Sequence, residues 1–164
     1  MGTACTGMLD IMEDQLGVYR SLLSLALQKQ PVLVKGELPQ LERITREEEL
    51  LILQVGRLEE QRQSLLQALA NHFILSPEDL TLSELIKRTD RETGAKFEKL
   101  FEELTGVLKE LADVNQNNSD LIKSSLDYIN FSMKLLADTD TSTVYNDKED
   151  EKKTAAAKIF DRKI

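Results

Sequence analysis

The side chains that most often perform catalysis are scarce in this sequence. His72 is the single histidine and Cys5 the single cysteine. Neither a histidine-based triad nor a metal site with two histidine ligands can therefore form within one chain. We interpret His72 as a polar residue near a helix end, and Cys5 as an inert thiol in a frayed amino terminus.

Carboxylates are abundant, but their spacing fits solvated helix surfaces better than an active site. Adjacent pairs such as Glu48–Glu49 and Glu102–Glu103 lack the Glu-x-x-His spacing of a di-metal helical bundle. The seven glycines are dispersed and form no phosphate-binding loop. We therefore expect no catalytic residues, no metal and no cofactor. The chain is predicted to act by binding another protein, and an enzyme is the third alternative after the two given below.

The charge balance narrows the class of partner. Lys and Arg number 21 against 29 Asp and Glu, giving a formal net charge of -8, so the surface repels nucleic acid and anionic lipid headgroups. One cysteine allows no disulfide framework and suits a reducing compartment. The amino terminus has acids where a signal peptide would be basic and apolar, and the apolar runs are short. We expect a cytoplasmic protein that does not insert into membranes.

Apolar residues recur at alternating steps of three and four, which predicts long amphipathic helices. The first helix is predicted over 8–30, ended by Pro31, and the second over 37–71, with Glu48 and Arg62 interrupting its apolar seam. Its stripe continues through Leu41, Ile44, Leu51, Val55, Leu58, Leu65 and Leu69. Two glycines, Gly56 and Gly106, lie inside the long helices, where glycine lowers helix stability. We interpret them as places where two helices approach closely; the alternative is that they loosen the helix locally.

Ser76 and Ser83 are both candidate helix caps in the stretch that follows, and a short helix is predicted there over 82–88. A last long helix is predicted over 91–136. The predicted fold is all-α: a long antiparallel helical hairpin or three-helix bundle with coiled-coil packing, one short connecting helix and a flexible carboxyl-terminal tail. We place the bundle at 1–137 and the charged tail at 138–164. Phe101 and Leu108 are predicted to widen the face of the last helix that packs against the hairpin.

The apolar face of the last helix rotates partway along it. Positions that continue the first seam become Asn118, Ser125 and Ser132, while a different stripe appears, with Leu121 beside it. The members of this second stripe are Ile122, Leu126, Ile129, Met133 and Leu136. Tyr128, Phe131 and Leu135 widen the apolar arc further. Ordinary core and a protein-binding surface are both open interpretations of this arc.

The tail is charged and of low complexity, with isolated apolar residues at Val144, Tyr145, Ile159 and Phe160. We expect it to be mobile alone and able to form a short helix near 154–162 when held. These four residues, together with Leu121 and the second stripe, are the residues predicted to bind the partner protein.

Several segments together resemble the FlgN family of bacterial flagellar export chaperones. They are SLLSLALQKQPVLVKGELPQLERITREEELL, LEEQRQSLLQALA, TLSELI, VNQNNSDLIKSSLDYINFSMKLL, and the tail with TVYN and KIFDRKI. The resemblance implies a cytoplasmic, ATP-independent chaperone that binds the helical carboxyl-terminal segments of the hook-filament junction proteins FlgK and FlgL. It also implies prevention of premature client self-association, delivery to the flagellar export apparatus, and docking to the export gate through Tyr145.

The second alternative is a structural one. A coiled-coil protein could use the same apolar stripe to close a homodimer or scaffold, and a homo-oligomer is also conceivable for a chaperone without its client. Loss of a dimer on client binding favours the chaperone, whereas a dimer that persists at saturation favours the structural function.

Overall fold

Helices make up nearly all of the chain that the structure describes. The structure is a computed structural model that describes residues 2–142, with side chains over 4–137. The described residues form four helices and no strand: α1 (Gly2–Lys35), α2 (Leu38–Phe73), α3 (Leu82–Arg88) and α4 (Arg91–Ser142). The all-α prediction is confirmed. None of these helices combines the length and apolar character needed to cross a membrane.

The chain divides into two compact units, residues 1–124 and 125–164. The first contains α1, α2, α3 and the amino-terminal part of α4. The described part of the second is the remainder of α4, which ends at Ser142.

The turn between α1 and α2 is shorter than the sequence suggests, and the prediction that Pro31 ends α1 is wrong. The helix continues through Pro31 to Lys35, because Val32 is buried with Leu25 and Ile44 and this packing offsets the hydrogen bond that proline cannot donate. Gly36 ends the helix instead, with a φ of +70°. Glu37 N donates to Val32 O at 3.1 Å, the bond that defines a Schellman turn.

The two hairpin helices run antiparallel, and every residue of the predicted α2 stripe is buried or half-buried. Ile44, Leu58 and Leu69 are buried along α2. Glu48, which interrupts the apolar seam, forms an ion pair with Lys29 of α1. The polar interruption therefore has a partner on the facing helix, and the seam continues on both sides of it.

The largest core cluster lies where α1, α2, α3 and α4 meet. Phe97 of α4 is fully enclosed there, and Cys5 is 4% exposed. The expectation that Cys5 lies in a frayed terminus is therefore wrong, because α1 begins at Gly2 and carries the thiol into the core. α3 begins after Thr81, whose Oγ1 accepts a hydrogen bond from Glu84 N at 3.2 Å.

Close helix approach does not explain the glycines inside the long helices. A Cβ atom placed on Gly56 would meet no atom within 4 Å, and the same holds for Gly106 among the described residues. The interpretation that these residues let two helices approach closely is therefore wrong.

Candidate functional site

One side of α4 in the second unit presents apolar side chains to solvent. Leu126, Ile129, Met133 and Leu136, which we call the α4 stripe, follow one another at steps of three and four, and each is between 51% and 68% exposed. Further exposed apolar residues extend this surface around the helix: Tyr128, Phe131 and Leu135. Exposed apolar surface of this extent is typical of protein-binding sites.

The buried seam of α4 ends in the first unit at Asn118. Its side chain is buried, and Nδ2 donates to the Ala26 carbonyl oxygen of α1 at 2.8 Å. Its Oδ1 has no hydrogen-bond partner among the described residues. Leu121 is half-buried, and Ile122 is 41% exposed. Exposure therefore begins where the sequence pattern rotates.

The other predicted client-binding residues belong to the tail. Val144, Tyr145, Ile159 and Phe160 lie outside the described residues, as does the predicted short helix near 154–162. The prediction for the tail therefore rests on the sequence.

A cavity of about 360 Å³ opens within the first unit, and α1, α2, α3 and α4 all contribute to its lining. We call it the bundle groove. Its apolar lining includes Met8 and Met12 of α1, Leu66 of α2 and Leu85 of α3. It is a concave apolar site of the kind that accepts ligand or partner side chains.

A polar cluster forms part of the wall of the bundle groove. Arg62 donates to Glu59 from Nε and from Nη2, each at 2.7 Å, and Gln15 Nε2 donates to the same carboxylate at 3.4 Å. The hydrogen bonds from Arg62 are the main reason that the pKa of Glu59 falls to about 2. The Glu59 carboxylate in turn raises the pKa of Arg62. Both groups are charged at neutral pH and balance each other.

Phe101 and Leu108 do not pack as predicted. They are 52% and 42% exposed, respectively, and lie at the rim of the bundle groove. The prediction that they join the face of α4 against the hairpin is therefore wrong. Phe97, Leu100 and Val114 are the α4 residues buried against the hairpin. Phe101 and Leu108 lie beside this buried face and point outward.

The described residues offer little for catalysis or metal binding. Burial raises the pKa of the Cys5 thiol, which keeps it protonated and weakly nucleophilic. His72 is exposed and makes an edge-to-face ring contact with Phe73. No group of three or more His, Cys, Asp or Glu residues suited to a metal ion occurs in the part of the chain that is described.

Comparison with known proteins gives a consistent result. The chain is 28% identical over 148 residues to the uncharacterized protein YvyG of Bacillus subtilis (strain 168), an alignment that covers 89% of this chain and 90% of that protein. No solved structure matches the chain significantly. The family described as FlgN protein matches residues 1–153. This match covers the hairpin, the bundle groove and the α4 stripe, and the chain therefore belongs to the FlgN family of flagellar export chaperones.

Proposed function

We propose that this chain is a cytoplasmic chaperone for the hook-filament junction proteins FlgK and FlgL. It binds their helical carboxyl-terminal segments, prevents their premature self-association and delivers them to the flagellar export apparatus. Membership of the FlgN family supports an export chaperone of flagellar proteins in general. Binding of FlgK and FlgL in particular is the proposal.

The observation that carries this proposal is the exposure of the α4 stripe. A client helix with apolar residues at matching steps can pack against it as in helix-to-helix recognition. Covering each of these half-exposed side chains stabilises the complex by about 1 kcal/mol. Ordering the client segment opposes that gain, so the affinity stays moderate and release requires no ATP.

The proposed client-binding set also includes Leu121 and Ile122 of α4, and Val144, Tyr145, Ile159 and Phe160 of the tail. The tail residues are apolar positions in an otherwise charged segment. Their burial against the client adds contact area, and Tyr145 is proposed to dock to the export apparatus.

The test replaces two members of the α4 stripe by serine. Ile129→Ser with Met133→Ser removes two exposed apolar side chains without creating a cavity, so far-ultraviolet circular dichroism should stay nearly unchanged. Isothermal titration calorimetry with carboxyl-terminal fragments of FlgK and FlgL should show an affinity at least about tenfold lower than that of the unaltered chain.

A matched control replaces two exposed apolar residues of α2. Leu50 and Ile52 are 68% and 58% exposed, so Leu50→Ser with Ile52→Ser removes comparable surface elsewhere and should leave client affinity unchanged. Equal losses in both double variants, or none in either, would contradict the assignment of the α4 stripe.

The same stripe could instead close a homodimer. Light scattering of the full chain with and without the client fragments separates the two functions. A one-to-one complex with client supports the chaperone, whereas a dimer that persists at client saturation supports the structural alternative.

A further inference from the structure

The bundle groove has the size of a site for side chains. Its volume of about 360 Å³ lies at the lower end of the range for ligand sites, roughly 300 to 1,000 Å³. A whole helix, about 10 Å across, does not fit inside it. Two or three large apolar side chains projecting from one face of a helix do.

The rim shows from which side such a helix would arrive. Phe101 and Leu108 are seven residues apart on α4, so they lie on one face, two helical turns from each other. Both are more than 40% exposed and line the groove, as does the exposed Thr105 between them, so these three residues lie at its open rim. A partner helix that packs along this face of α4 would cover both rim residues while its own side chains enter the groove.

The charges beside the rim indicate the character of the partner. Glu98 and Glu102 flank Phe101, are exposed, and form no ion pair with any described lysine or arginine. Three lysines lie near them on α4: Lys96 pairs with Glu92 and Lys99 with Glu103, while Lys109 lies further along the helix. Glu59 on the groove wall is already balanced by Arg62. The uncompensated charge at the rim is therefore negative, as is the formal net charge of -8.

We propose that the bundle groove is a second docking site, whose occupant is a basic amphipathic helix of a partner protein. Two or three apolar side chains of that helix enter the groove, and its lysines or arginines lie beside Glu98 and Glu102. This site belongs to the first unit. It does not depend on the assignment of the α4 stripe.

The first experiment tests whether a bulky substitution in the groove blocks binding of a helical peptide. The probe is a fluorescently labelled helical peptide of leucine, alanine and lysine, with leucines at steps of three and four residues, and binding to the full chain is measured by anisotropy. Thr105→Trp places an indole in the mouth of the groove and should weaken binding about tenfold. Ala95→Trp adds the same ring at an exposed α4 position that does not line the groove, and binding should be unchanged.

The second experiment tests the charge. Glu98→Lys with Glu102→Lys should weaken binding of the lysine peptide about tenfold, and a peptide with glutamates in place of lysines should bind the unaltered chain weakly. Glu110→Lys with Asp113→Lys makes the same change in net charge further along α4 and should have a much smaller effect. Equal effects of the two double variants would overturn the proposal, because only overall charge would then matter.

A third comparison separates this proposal from the proposed function. Ile129→Ser with Met133→Ser, which alters the α4 stripe, should leave binding of the lysine peptide intact. Unchanged peptide binding in Thr105→Trp, with circular dichroism confirming the fold, would overturn the groove assignment alone. Loss of self-association in Thr105→Trp, measured by sedimentation, together with unchanged peptide binding would show a second copy as the occupant and also overturn it.

Discussion

At the scale of single residues, Asn118 fixes the position of α4 at an energetic cost. Its amide donates to the carbonyl oxygen of Ala26, which the backbone pattern of α1 already pairs with the N–H of Gln30. Its Oδ1 is buried with no partner among the described residues, and such an atom costs about 1–3 kcal/mol. Only one register of α4 against α1 brings the donor to that carbonyl, so the residue selects alignment at the expense of stability.

Asn118→Leu should therefore raise the free energy of unfolding by about 1 kcal/mol. Leucine has the same number of side-chain heavy atoms as asparagine and buries no polar group, and the Ala26 carbonyl keeps its helical hydrogen bond. Asn118→Asp should instead lower the free energy of unfolding by about 2 kcal/mol or more, because it buries a carboxylate opposite a carbonyl oxygen. Urea titration of both variants measures these changes. A loss of stability in Asn118→Leu would mean that Oδ1 has a partner in solution.

At the scale of helices, the residues that follow α1 and α2 have the same left-handed backbone conformation but differ in type: one is a glycine and the other is β-branched. Gly36 follows α1 with a φ of +70°, and Ile74 follows α2 with a φ of 56°. Glycine adopts this conformation without strain, whereas a β-branched residue does so at a cost. The end of α2 is therefore the strained one.

Substitutions at the two ends should act in opposite directions. Gly36→Ala should lower the free energy of unfolding by about 1 kcal/mol, and Ile74→Gly should raise it by about 1 kcal/mol. Ile74 is 92% exposed, so its removal loses little apolar burial. Thermal or urea unfolding checks both values. Destabilisation by Ile74→Gly would show that the isoleucine side chain stabilises this turn more than its backbone strains it.

The helices differ in how far the sequence determines their ends. The bounds predicted for α3, residues 82–88, agree with the structure, although its cap is Thr81 and Ser83 lies inside the helix. The prediction for the end of α1 is wrong because the local tendency of Pro31 to end a helix is outweighed by the burial of Val32. Burial against another helix is a tertiary effect that local sequence does not reveal.

At the scale of the whole molecule, the sequence predicts a seam on one helix more readily than a cavity among several. The rotation of the apolar pattern at Asn118 is visible in the spacing alone, and the apolar residues of the second stripe, from Ile122 to Leu136, are exposed. The spacing does not predict the bundle groove, because the groove depends on how far the helices separate around lining residues such as Met12 and Leu66. Phe101 and Leu108 are the sequence feature that indicates this groove. They make the apolar face of α4 wider than one contact with the hairpin can bury.

The tail and α4 are both proposed to contribute to client affinity, and deletion of the tail separates their contributions. Removing residues 138–164 should weaken binding of the FlgK and FlgL fragments about tenfold, because the apolar anchors at Val144, Tyr145, Ile159 and Phe160 are lost. Circular dichroism should show that residues 2–137 keep their helical content, since the core clusters lie in the first unit. Removing only 151–164 separates the second pair of anchors from the first and should give an intermediate loss in calorimetry. Full affinity in the longer deletion would remove the tail from the client-binding set and leave the α4 stripe as the site of capture.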